Sequence, residues 1–310
     1  MAIGNCSLGY LAVETRKPEK WRDFNAALLD LPASGNADGS VGLQIDAARQ
    51  RLIIVPGERD DVLAVGLQMR DEAALEALAA KLAANGTEAQ PGDEWLCQSR
   101  GARRMLVFAD PSGLRLEAFV DPAPADKPFV SQYFADGFHS DDSGFGHVVL
   151  NTRDLEQAER FYCDVLGFAV TERLQVRLGP IDVRGIFLHC NRRHHSLAIF
   201  GAPASKRLNH VMLQAQALRD VGMAYERFKR HRVPFSLELG QHPDPDSTVS
   251  FYAATPSGFD LEIGAAGNEI DPVGWKERPL DRISSWGHKP TLRLKLNSLK
   301  ALVGHRLGLN

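Results

Sequence analysis

Apolar and polar positions along the chain form a pattern that occurs twice. The segment from Leu8, LGYLAVETRKPEKWRDFNAALLDLP, and the segment from Phe145, FGHVVLNTRDLEQAERFYCDVLGF, each begin as an apolar strand. Each then turns through charged residues and runs on with helical periodicity to a break containing Gly or Pro. Midway through each half, residues 62–68 (VLAVGLQ) and 208–214 (LNHVMLQ) are strand-like and precede helical windows at 71–84 and 218–230. Each half closes on a Pro-Ser-Gly turn and a short alternating strand, FADPSGLRLEAF at 108–119 and AATPSGFDLEIG at 253–264, which carry Glu117 and Glu262. The pattern predicts an α+β chain of two similar domains, each of two β-α-β-β-β repeats forming a curved, barrel-like mixed sheet.

Between the halves lie VDPAPADKPF (120–129) and an Asp-, Ser- and Gly-rich stretch at 136–144, which is linker composition. Domains at about 1–130 and 140–288 follow, with a basic tail at 289–310 that reads as a helix against a partner subunit or a solvated extension. The 310 residues are 44% hydrophobic and 24% charged, with a formal net charge of −3, so there is no electrostatic reason to expect nucleic acid or an anionic membrane. Cys6, Cys97, Cys163 and Cys190 share no close spacing and are expected as free thiols. No signal-peptide pattern and no long apolar span is visible, so a cytoplasmic protein is expected.

Because the halves share a scaffold, residues present in one copy alone are candidates for chemistry. His147 stands where the first half has Tyr10, and His210 where it has about Ala64, while the glutamate occurs in both as Glu262 and Glu117. A lone histidine in an apolar strand is more often a hydrogen-bonded core residue than a ligand. Two imidazoles and a carboxylate at equivalent points of successive strands are the donor set of a non-haem iron(II) site with open positions, and zinc or manganese(II) would accept the same donors. The duplicated half lacks the histidines, so the fold does not require them.

The second half resembles the type I extradiol dioxygenases of the vicinal oxygen chelate superfamily, most closely the 2,3-dihydroxybiphenyl 1,2-dioxygenases and dihydroxynaphthalene dioxygenases. The resemblance is carried by FGHVVLNTRDLEQAERFYCDVLGF, GIFLHCNRRHHSLAIFGAPASKRLNHVMLQ, TVSFYAATPSGFDLE and SWGHK. It implies His147, His210 and Glu262 as ligands of iron(II), with manganese(II) the other candidate. It implies His195 as the acid–base residue with His194 beside it, Tyr252 as a hydrogen-bond donor, and His242 and Asp246 at the bound diol. Phe187, Val149 and Ala198 match positions that wall the family's substrate pocket. One departure is the loop of eight residues, PDPDSTVS, between His242 and Phe251, longer than the family pattern and stiffened by two prolines.

The activity implied is ring cleavage of a catechol-type diol by O2, on a bicyclic substrate such as 2,3-dihydroxybiphenyl, during aromatic degradation. A proton carrier near neutrality is needed, and His195 is the candidate. The first half is expected to be structural, and the chain a homo-oligomer, as family members commonly are. Two other classes stay open at this point: a glyoxalase-like metal-dependent isomerase, and a metal-free binding protein on the same scaffold.

Overall fold

The structure is a computed structural model that describes residues 4–178, 181–201 and 204–306. The first half follows the doubled pattern. Strand β1 (Cys6–Thr15), helix α1 (Pro18–Phe24) and strands β2 (Ala33–Gly35), β3 (Val41–Leu43) and β4 (Leu52–Pro56) form one unit. Strand β5 (Asp61–Met69), helices α2 (Glu72–Ala84) and α3 (Glu94–Arg100), and strands β6 (Ala89–Pro91), β7 (Ala102–Ala109) and β8 (Arg115–Pro122) form the next. The second half repeats this with β9 (His147–Asn151), α4 (Leu155–Arg160), β10 (Ala169–Leu178), β11 (Ile181–His189) and β12 (Leu197–Gly201). It continues through β13 (Leu208–Gln214), α5 (Leu218–Arg230), β14 (Phe235–Gln241), β15 (Val249–Ala254) and β16 (Asp260–Ala265).

The two sheets have one topology. Their orders are β2-β3-β4-β1-β5-β8-β7-β6 and β10-β11-β12-β9-β13-β16-β15-β14, the second extended past β10 by a short β17 (Arg278–Leu280). In each, two units join through an antiparallel pair, β1 with β5 and β9 with β13, flanked by parallel pairs. Asp71 and Asp154 cap α2 and α4 through hydrogen bonds to the backbone N–H of Ala74 and Gln157, satisfying helix ends that would otherwise be unpaired. Leu75, Leu78 and Leu82 put the apolar face of α2 into the core. The helix that begins as α1 widens to π-helical turns at Asn25–Leu29, where the Asn25 side chain bonds both the N–H and the C=O of Leu31; α4 widens in the same way at Phe161–Val165.

One apolar core runs through both halves. Phe24 of α1 packs edge-on to Phe228 of α5 at 5.8 Å, and Trp21 lies against Phe259 while its indole N–H donates to Ser257 Oγ at 2.9 Å. Each such side chain, fully buried, contributes about 1.5–3 kcal/mol. The four cysteines are free. Among the described residues no helix is long and apolar enough to cross a membrane.

The tail is helical and touches its own chain, while Leu292, Leu296 and Leu299 stay exposed. Helix α6 (Leu292–Arg306) packs on its own chain, beside β14. Arg293 donates to Asp260 Oδ1 at 2.5 Å, to Gly258 O at 3.0 Å and to Ser236 Oγ, and Lys289 O accepts from Glu238 N. A charge that looked solvated in sequence has a half-buried carboxylate to meet.

Candidate metal centre

The register of the two sheets places the chemistry. In the second, His147 on β9 lies opposite Met212 on β13, which lies beside Glu262 on β16; His210, two residues before Met212, lies opposite Val149. In the first, the same rows read Tyr10, Gly66 and Glu117, with Ala64 opposite Ala12. The pairing of His210 with Ala64 expected from the repeat is therefore the pairing of the register. Gly146, at φ +147°, lets β9 begin against β13, since a Cβ there would sit 2.0 Å from Met212 O.

Three buried donor atoms converge. His147 Nε2 is 3.0 Å and His210 Nε2 3.3 Å from Glu262 Oε2, and the two nitrogens are 3.3 Å apart. His210 Nδ1 donates to Asn209 Oδ1 at 2.9 Å, so its Nε2 offers a lone pair to the same point. Burial lowers the pKa of His147, and the ring is neutral. Burial acts to raise Glu262, but His147, His210 and His242 around it prevail and hold it well below the usual carboxylate range. Two imidazole Nε2 atoms and a buried carboxylate thus face one another, an arrangement stabilised by a cation between them. The donor set fits a divalent metal with open positions.

Behind the donors stand the other expected residues. The His195 ring stacks on His147 at 4.1 Å and meets Phe187 edge-on at 4.9 Å. Burial pushes its pKa well below the ordinary value, so it is neutral and able to accept a proton, not a group titrating near the free imidazole. His242 Nδ1 donates to Ile283 O at 2.7 Å, and its Nε2 lies 2.8 Å from Tyr252 Oη. Burial would lower His242, but Glu262 and Asp246 outweigh it and push it up to about 9. Tyr252 is raised well above the usual phenol by burial and by Glu262, and keeps its proton.

A cleft opens over these groups. Its wall includes Phe187 and Asp246 from the expected set, joined by Phe200, Leu237, Leu280 and Ile283, and by Leu294 from α6. Val149 and Ala198, fully buried and paired with each other across β9 and β12, are not among the residues that line it. His194 is not on the wall either; it backs His195, with Nδ1 atoms 3.0 Å apart. Two further groups were not assigned from sequence. His288 lies within the SWGHK segment, and its ring packs 4.5 Å from that of His242; Glu172 on β10 lines the cleft with no local motif to mark it.

The first half has closed the equivalent place. Tyr10 Oη donates to Glu117 Oε2 at 2.5 Å, and Arg100 Nε and Arg115 Nε donate to the same carboxylate at 3.1 and 2.6 Å. Guanidinium groups stand where a cation would. Glu117→Ala is expected to leave metal content at the wild-type level while lowering stability by on the order of 3 kcal/mol, because Arg100 would keep only its longer pair with Asp38 and Tyr10 would lose its acceptor. Metal analysis and a denaturant midpoint check the two halves of that expectation.

Residues 144–263 match the family model described as Glyoxalase/Bleomycin resistance protein/Dioxygenase superfamily, and residues 8–57 match Dihydroxybiphenyl dioxygenase BphC D1. The chain is 38% identical over 285 residues to the biphenyl-2,3-diol 1,2-dioxygenase of Paraburkholderia xenovorans (strain LB400), covering 91% of this chain and 95% of that one. It is 35% identical to the iron-dependent extradiol dioxygenase of Rhodococcus jostii (strain RHA1), over 91% of this chain and 96% of that one. Its fold is similar to the crystal structure of BphC, a halotolerant catechol dioxygenase, with a TM-score of 0.86 at 32% identity, covering 96% and 97% of the two chains.

Proposed function

The chain belongs to the type I extradiol dioxygenases of the glyoxalase and dioxygenase superfamily, and from that premise we propose that it opens a bicyclic catechol-type ring beside its two hydroxyls, using O2. The observation that carries the reading is the convergence of His147, His210 and Glu262 at the floor of a largely apolar cleft. These three would hold iron(II), as the iron-dependent relative suggests, and manganese(II) suits the same donors. When bound, such an ion supplies a Lewis-acid centre at which a diol and O2 meet.

The remaining work falls to side chains of the protein. His195, neutral and lining the cleft, takes a hydroxyl proton from the diol and returns it as the ring opens. His242, charged, has two N–H groups: one is given to Ile283 O and the other to Tyr252 Oη. The Tyr252 O–H, which also interacts with Glu262, stands at the wall of the cleft, where it would donate to developing negative charge. Phe187, Phe200, Leu280 and Ile283 exclude water from the second ring. The glyoxalase-like isomerase and the metal-free binder have no such use for a stacked His195 beside the metal donors.

The test is a colour change. Anaerobically purified, iron-loaded protein mixed in air with 2,3-dihydroxybiphenyl is expected to give a yellow ring-opened product, with one iron per chain. No colour with that diol, with 1,2-dihydroxynaphthalene or with monocyclic catechols would defeat the reading. Two domains at about 1–130 and 140–288, a bracing role for the first, a cytoplasmic setting and a homo-oligomer complete the proposal; a monomer by light scattering removes the last.

A further inference from the structure

Glu172 is a buried carboxyl that none of the steps above uses. It sits on β10, 3% exposed, opposite Phe187 of β11 and beside Arg278 of β17. Among the described residues its carboxylate has one ion-pair neighbour, His194 Nε2, 3.5 Å from Oε2. That nitrogen is itself buried without a hydrogen-bond partner, which makes Glu172 its available acceptor. On the far side of the same ring, His194 Nδ1 lies 3.0 Å from His195 Nδ1. Carboxyl, His194 and His195 therefore stand in one line that ends in the cleft.

Two neutral imidazoles that meet Nδ1 to Nδ1 need opposite roles there, one donating and one accepting. A carboxylate at His194 Nε2, the form Glu172 takes as pH rises above about 7, decides which. It keeps the His194 proton on Nε2, so Nδ1 of His194 is bare and accepts from His195. His195 then carries its proton on Nδ1 and presents a bare Nε2 at the opposite edge of its ring. We propose that Glu172 is a positioning residue for the acid–base step: acting through His194, it fixes His195 in the tautomer whose Nε2 is free to take a proton from the diol. The inference rests on the reading of His195 as the acid–base residue.

The setting of Glu172 supplies an independent readout. Burial raises its pKa from 4.5 to about 7, Asp246 adds to the rise, and Arg278 and His242 oppose it. The groups that face it are thus His194, Asp246, Arg278 and His242. A carboxyl that holds its proton more tightly folded than unfolded stabilises the fold fully below the unfolded value. That contribution is lost as pH rises through about 7. Glu172→Leu and Glu172→Gln are both expected to remove this fall from the pH profile of the melting temperature.

The deciding experiment uses the iron-loaded full-length enzyme. Glu172→Leu, of similar size but with no acceptor, is expected to lower kcat by about 10²-fold. Iron content, KM and the anaerobic affinity for 2,3-dihydroxybiphenyl are expected to stay within about twofold. Glu172→Gln, whose amide can accept or donate at His194, is expected to fall between that variant and wild type. In a His194→Phe background the link is already cut, so Glu172→Leu is expected to add no further loss. Full kcat in Glu172→Leu, loss of iron or diol binding in it, or an undiminished further loss in the His194→Phe background would each overturn the proposal. If Glu172→Leu does not fold, Glu172→Gln in the two backgrounds completes the same cycle. Failure of the underlying reading shows separately, as normal turnover in a His195 variant.

Discussion

Glu262→Ala is expected to yield a folded chain that retains no iron and turns over no diol, a loss of roughly 10⁴-fold or more. Glu262 is the one anion among the three donors, and its Oε2 lies within 3.3 Å of both imidazole nitrogens. Without it, two neutral rings face a dication whose charge nothing in the buried cluster offsets. His147→Ala and His210→Ala remove one lone pair each and are expected to abolish tight binding too. The control is the first half, where Glu117→Ala strikes the equivalent glutamate and is expected to leave iron untouched. A binding measurement separates the two without any turnover. Iron that binds only the native state raises the melting temperature of the wild type, and is expected to leave that of Glu262→Ala unchanged. Iron retained by Glu262→Ala at one per chain would show that the donor set is wrong.

His195→Gln carries the second large effect, a fall in kcat of about 10²–10⁴ with iron content and anaerobic diol binding preserved. The ring stacks on His147 at 4.1 Å without joining the donors, whose Nε2 and Oε2 atoms meet elsewhere. Its hydrogen bond is to His194, and three protein donors already leave the positions that diol and O2 need. Loss of iron in this variant would make His195 a ligand. Normal turnover would move the proton to another group, with His242 next in position.

Much of this was legible because a strand alternates and a repeat supplies its own control. Residues 62–68 and 208–214 lie within β5 and β13, and the window 218–230 is α5 from end to end. The substitution of His147 for Tyr10 stood out since the neighbours LGYLAV and FGHVVL share a face pattern, and a shared pattern means a shared register. Other parts were not legible. Local pattern gives no distance between Glu172, on β10, and His194, in the loop between β11 and β12, although their side chains meet at 3.5 Å. Val149 has the right face beside His147, but alternation says nothing of how deep a side chain sits, and it is buried away from the cleft wall. Asn25 was an ordinary polar residue until its two bonds to Leu31 accounted for the widened turn.

Helix α6 follows both sheets in the chain, yet Leu294 faces the cleft while Arg293 ties the helix to Asp260. The depth available to a substrate is therefore set partly by a residue that belongs to neither sheet and to no shared core. Most cavity walls cannot be altered without disturbing the packing that folds the chain. This one can. A change at position 294 is expected to reshape that wall without disturbing the packing of either sheet. An outer wall on a late, separately anchored helix stands apart from the strands that carry the metal donors, so the one can vary while the other is kept.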